Sequence, residues 1–143
     1  MARLKKLSII AFSGSFDRVH YALATASAAA ATNIAVTLFF TMGAIRALTN
    51  DDNGEPRWGE LLHSENTDDG VSCDSIHKNS GVAGFEELLE ACVALKVKFL
   101  VCEMGLRDAE LSVNTLRDDV PIEQGGLVTF LADADENGSI LFI

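Results

Sequence analysis

Three cysteines are the strongest nucleophiles in this chain, and their settings differ. Cys102 closes the apolar run Val97-Lys98-Phe99-Leu100-Val101-Cys102 and precedes Glu103-Met104-Gly105-Leu106-Arg107, the expected start of a short helix. A thiol between a strand's end and a helix's beginning meets unpaired backbone N–H groups and the positive end of the helix dipole, which favour the thiolate. The thiolate is the form that attacks sulfur, so the position suits sulfur-transfer chemistry. Glu103 opposes that charge, while Arg107 and Arg46 could offset it. A buried cysteine that acts as a small hydrophobe is the other reading of the same position.

Cys92 shares an apolar helix face with Leu88, Leu89 and Leu95, where a thiol packs as core. Its helix runs back along the following strand, so Cys92 falls near the start of that strand and Cys102 at its end. With ~3.3 Å per strand residue and ~1.5 Å per helical residue, their axial offset is roughly 10 Å. A disulfide needs Cα atoms within about 7 Å, so no resting bond between them is expected. Cys73 lies among His63, His77 and many carboxylates, but the spacing fits no zinc pattern, and no metal is expected. His20 could act as a base or anion ligand near the strand ends, or be an exposed or interface histidine. Ser13-Gly14-Ser15 before a helix could cradle an anion. No G-x-x-x-x-G-K-[ST] or G-x-G-x-x-G is present, no Ser-His-Asp set can be assembled, and no cofactor is expected.

The elements that must hold these groups are legible as apolar runs. Residues 7–12 predict a first buried strand ending in the Ser13-Gly14-Ser15 turn, and 16–32 a helix capped by Ser15 with Asp17 in its first turn. A strand at 34–41 and a short helix at 42–48 follow. Residues 49–80 are polar and patternless apart from Trp58 and Leu61-Leu62, which predicts a long functional or mobile loop. The pattern then returns as a helix at 85–95, a strand at 97–102, a short helix at 104–111 and a brief edge strand at 120–122. Gly125-Gly126 opens a helix to about 134, and Asn137-Gly138 turns into a last strand at 139–143. Strands alternating with helices predict an α/β fold with a mainly parallel sheet covered on both faces. Ligands gather at the carboxyl ends of such strands, here Ser13–Ser15, Thr41–Gly43 and Cys102–Gly105.

Composition narrows the class. The chain's 143 residues suit one domain, and 48% hydrophobic residues can build a core. Lys and Arg number 11 against 21 Asp and Glu, so the net charge of −10 argues against a nucleic-acid partner. Residues 49–80 carry eight of those acids and two bases, which sets them apart as an acidic insertion. Residues 21–45 hold no charge and are long enough to span a bilayer. Their first half is mostly alanine, and their character changes at Asn33 from helix-forming to β-branched and aromatic, so a helix, a turn and a buried strand are expected instead. Three cysteines without a leader point to a soluble cytoplasmic protein rather than a disulfide-stapled secreted one.

Three stretches together resemble the DsrE/DsrF-like family of small sulfur-trafficking proteins. They are Ser13-Gly14-Ser15-Phe16-Asp17-Arg18-Val19-His20 with Val36-Thr37-Leu38-Phe39-Phe40-Thr41-Met42, Gly81-Val82-Ala83-Gly84-Phe85-Glu86-Glu87 leading to Val101-Cys102-Glu103-Met104-Gly105-Leu106, and Gly125-Gly126-Leu127-Val128-Thr129-Phe130-Leu131. The resemblance implies a three-layer α/β/α domain with a five-stranded, mainly parallel sheet, assembled into homo-oligomers or hetero-oligomers, and a homo-oligomer (a trimer or a multiple) is expected here. It implies that a cysteine carries sulfane sulfur as a persulfide or thiosulfonate. Cys102 matches that cysteine and Cys92 a second one found in carrier-type members. Ser13, Gly14, His20, Arg46, Gly105 and Arg107 are the candidate supporting residues, and TusA-like or rhodanese-like proteins the implied donors or acceptors. Gly43, where an aromatic often stands, the long acidic segment and Cys73 depart from the pattern. A non-catalytic oligomeric scaffold with passive cysteines is the competing expectation. The apolar first helix, too large for one sheet face to cover, points independently to subunit contacts.

Overall fold

Strands buried on both faces need side chains of one kind only, and the apolar runs of this sequence become such strands. The computed structural model describes residues 3–143. Its strands are β1 (Lys6–Ala11), β2 (Ala35–Phe40), β3 (Lys98–Cys102), β4 (Ile122–Gly125) and β5 (Ser139–Phe142). They form one sheet in the order β4-β3-β2-β1-β5, with every neighbouring pair parallel. The expected edge strand at 120–122 therefore begins two residues later. Pro121, which has no N–H to offer a ladder, stays outside it.

The helices are α1 (Phe16–Ala31), α2 (Gly70–Asn79), α3 (Phe85–Ala94), α4 (Glu103–Asp108) and α5 (Leu127–Asp133). The two sheet faces are covered very unequally. On one, Leu7, Ile9, Val36, Leu38, Phe40, Phe99 and Val101 join Phe16, Leu23, Phe85, Leu89 and Cys92 of α1 and α3 in the main core. On the other, only Phe39, Leu100, Cys102 and Phe130 are fully buried together, with Ile10 against them. Among the described residues helix α5 alone makes this third layer, and β5 stays exposed along its whole length. Phe12 and Phe142 stack there with ring centroids 5.4 Å apart, and Phe142 is 67% exposed.

The acidic stretch is not patternless, as its sequence suggests. The short helix expected before it is the 3-10 helix Met42–Leu48; within the stretch Trp58–Glu60 is a 3-10 turn and Gly70–Asn79 a full helix. Asp69 caps it by accepting from Ser72 N at 2.9 Å, and Asp74 reaches out of it to accept from Phe85 N at 2.7 Å. Ser15 stands at the N-cap of α1 as expected, yet its side chain makes no capping bond. Ser13 Oγ accepts from Ser15 N instead, and Asp17 turns away to accept from both N and Oγ of Ser64. Among the described residues no helix is long and apolar enough to cross a membrane.

Candidate functional site

The carboxyl ends of β1, β2 and β3 pack closely because glycines let their backbones touch. A Cβ on Gly14 would lie 3.0 Å from Gly43 O, and one on Gly105 would lie 2.6 Å from Ile45 Cδ1 and 2.7 Å from Met42 N. Between them Met42 takes a φ of 49°, a left-handed conformation that unbranched side chains rarely adopt and that tends to persist where surrounding packing enforces it. Of the candidate supporting residues, Gly14 and Gly105 thus stand where the loops approach closely, and Ser13 Oγ accepts from Ser15 N.

Cys102 ends β3 and is the N-cap residue of α4, as the sequence predicts. The α4 first-turn N–H groups have no partner within the helix. Alternation along β3 sends Phe99 and Val101 to the main core and Leu100 and Cys102 to the thinly covered face. There the thiol is 1% exposed, among Phe39, Leu100 and Phe130, and it lies in register with Gly125 of β4. Cys92 is on the other side of the sheet. It is fully buried in α3, its thiol donates to Leu23 O at 3.5 Å, and burial pushes its pKa up to about 12. All three cysteines are free, and the sheet itself separates Cys92 from Cys102.

His20 is not an exposed group beside the thiol but a buried one on the main-core side. Its Nε2–H donates to Ala83 O at 2.8 Å, and its ring stacks on His77 with centroids 4.3 Å apart and planes 9° apart. Arg46 is half-buried in the Met42–Leu48 turn. It helps to hold the Glu60 carboxyl below its usual range, an effect due first to the hydrogen bond from Arg57. Arg107 is exposed in the last turn of α4. Cys73 lines a cavity of about 180 Å³ with Asp17, His63 and His77, and burial, with Asp68, Asp17 and Asp69 nearby, pushes its thiol up. Among the described residues no group of three or more His, Cys, Asp and Glu is arranged to hold a metal.

Two residues of α5, one over Cys102 and one at the other end of the strands, escaped the sequence analysis. Phe130 of α5 covers it and stacks on Phe39 at 5.0 Å. Asp133, at the far end of the same helix, accepts from Lys6 Nζ at 2.5 Å, Thr37 Oγ1 at 2.6 Å and Lys98 Nζ at 3.1 Å. The signal available was an acid at the end of an apolar helix, opposite lysines that begin two strands.

The sequence model of the DsrE/DsrF-like family matches residues 5–137. The chain is 29% identical to the sulfur carrier protein DsrE2 of Allochromatium vinosum over 97% of its own length and 98% of that protein's. It is 28% identical to the uncharacterized protein YrkE of Bacillus subtilis, with 97% of each covered. In structure it is similar to the ychN protein of E. coli, with a TM-score of 0.55 and 20% identity over 98% of this chain and all of that one. The Methanobacterium thermoautotrophicum protein MTH1491 gives a TM-score of 0.56 at 10% identity, over 96% of this chain and 98% of that one.

Proposed function

The chain belongs to the DsrE/DsrF-like family, and on that premise we propose that it is a cytoplasmic sulfur-relay protein with Cys102 as the carrier. The observation that carries this reading is a free thiol at the strand-to-helix junction of β3 and α4, where first-turn N–H groups can stabilise sulfur-borne negative charge. The Cys102 thiolate attacks the outer sulfur of a donor persulfide. The donor's S–S bond breaks, the donor leaves as a thiolate, and Cys102–S–SH remains. An acceptor thiolate then takes the same sulfur and restores the Cys102 thiolate, with no net oxidation. With tetrathionate the same attack releases thiosulfate and leaves Cys102–S–S–SO₃⁻. Arg107 of α4 and Arg46, in the Met42–Leu48 turn that packs on α4, are the candidate helper cations, and Cys92, sealed in the core, supports the fold rather than the transfer. The net charge of −10 suits TusA-like or rhodanese-like partners with basic docking faces.

A homo-oligomer fits the same reading. Phe12, Ile140, Phe142, Leu127, Val128 and Leu131 all stand exposed, whereas Tyr21 is the large apolar residue that α1 leaves exposed. Light scattering at micromolar concentration should give a trimer or larger species; a monomer removes this part of the proposal.

Intact-mass measurement after incubation with tetrathionate or polysulfide tests the carrier. One sulfur-containing adduct is expected on the parent and on Cys73→Ser, and none on Cys102→Ser. Loading that survives Cys102→Ser and vanishes in Cys73→Ser overturns the assignment. The burial of Cys102 favours a second reading, a non-catalytic scaffold with passive cysteines, and absence of any adduct would select it.

A further inference from the structure

We propose that α5 is a lid over the Cys102 thiol, hinged at Gly125-Gly126, plugged by Phe130 and latched by Asp133. The sulfur-relay reading supplies the lid's purpose; its opening is a property of the fold. A thiol that is 1% exposed cannot meet sulfur held on another protein, so a covering element has to move.

The covering element is attached at two points. Phe130 is the only buried residue of α5, whereas α1 buries six and α3 three. Leu127, Val128 and Leu131 project outward, with Val128 83% exposed. At the other end the Asp133 carboxylate binds Lys6, Thr37 and Lys98, and Lys6 Nζ also donates to Asp133 O at 2.9 Å. These partners start β1, lie in β2 and start β3, so one side chain pins the helix across three strands.

The hinge is beside the thiol. Gly125 is the register partner of Cys102, and a Cβ on it would lie 3.0 Å from Thr129 Cβ, whereas at Gly126 a Cβ would meet nothing within 4 Å, so the bend falls at Gly126. Swinging α5 outward withdraws Phe130 from Phe39, Leu100 and Cys102 together, because these four form one small cluster. The main core lies on the opposite face and stays closed. An element with so few buried contacts belongs to the part of a fold that opens well before global unfolding.

Site-resolved labelling of the native full chain with N-ethylmaleimide, without any sulfur donor, tests the lid. Rates are normalised to those of the urea-unfolded chain, and Cys92 reports opening of the main core. Cys102 should label at least about tenfold faster than Cys92. Asp133→Asn, and separately Phe130→Ala, should each raise the Cys102 rate about fivefold or more. Sub-denaturing urea should raise the Cys92 rate steeply and the Cys102 rate weakly, because opening the lid exposes far less surface than opening the main core. Raising sodium chloride from low concentration to about 1 M should accelerate Cys102 in the parent by screening the latch, which keeps the test decisive if a variant does not fold. Cys102 and Cys92 rates with one common urea dependence, or a Cys102 rate that neither Asp133→Asn nor salt alters, overturn the lid. Selective opening without sulfur uptake at Cys102 leaves the lid and removes the relay. Uptake at Cys102 with rates indifferent to Asp133→Asn does the reverse.

Discussion

Gly14 and Gly43 meet backbone to backbone, each where a Cβ on the other would fall 3.0 Å from a main-chain atom. Neither loop can yield easily, since Ala44 N is bonded to Phe12 O and Thr41 N to Ala11 O. A side chain at position 43 would therefore press on the Gly14 backbone. Gly43→Ala should destabilise the protein by about 1–3 kcal/mol, and Gly14→Ala by a similar amount. Urea unfolding midpoints at neutral pH measure both.

Asp133 ties stability to acid. Burial alone would raise its pKa, but the bonds from Lys6, Thr37 and Lys98 outweigh it and bring the carboxyl down to about 2. A carboxylate whose folded pKa is depressed contributes stability in full above its unfolded value, ~3.9, and loses it as pH falls toward the folded one. The contribution is about 1–2 kcal/mol and should disappear between roughly pH 4 and 2. Asp133→Asn should lose it at pH 7, so its unfolding curve should lie below the parent's at neutral pH and approach it at pH 2.5.

His77 acts in a higher window. Desolvation by burial and the adjoining His20 lower its pKa, against an opposing pull from Asp74 and with a smaller lowering from His63. The unfolded chain therefore takes up the proton first as pH falls below ~6.5, and stability declines. The parent should unfold at lower urea at pH 5.5 than at pH 7.5. His77→Gln should flatten that difference, and an unchanged slope would show that the stacked pair is not its source.

Arg117 is the buried cation of the molecule's far edge. Its guanidinium donates to Asp119 at 2.9 and 2.7 Å and to Glu86 at 2.7 Å, and Glu86 Oε1 also accepts from Trp58 Nε1 at 3.1 Å. Arg117→Ala leaves the Glu86 carboxylate without its cation, but Glu86 and Asp119 are themselves partly exposed to water, so about 1–3 kcal/mol of stability should be lost. Lysine cannot reproduce the paired bond to Asp119, so Arg117→Lys should recover less than half of it. Denaturant titration of both variants checks the order.

The sheet was legible because parallel strands buried on both faces leave uninterrupted apolar runs such as Leu7-Ser8-Ile9-Ile10 and Val36-Thr37-Leu38-Phe39-Phe40. Helix α2 was not, because it buries only Gly70, Cys73 and Asp74 and so carries no apolar stripe. Its punctuation was present: Asp69 before it, Lys78 in its last turn, and Gly81 beyond it with a φ of 77°. Missing α2 also hid the setting of His20, whose stacking partner His77 belongs to that helix. The position of Cys102 at the end of β3 followed from the apolar run. Its burial did not, because which sheet face is thinly covered depends on where α5 lands after the last crossover.

Among the described residues the sheet joins the first strand, β1, to the fifth, β5. Leu7 stands beside Ser139 in the register of β1 and β5, so β1 has one neighbour until the ribosome has delivered residues 139–142. During synthesis, and in any prematurely terminated product, the backbone of β1 is an open edge flanked by Ile9 and Ile10, the kind of surface that recruits another chain. Truncated translation products of this protein should therefore be substrates for chaperones and proteases even though their main core is otherwise complete.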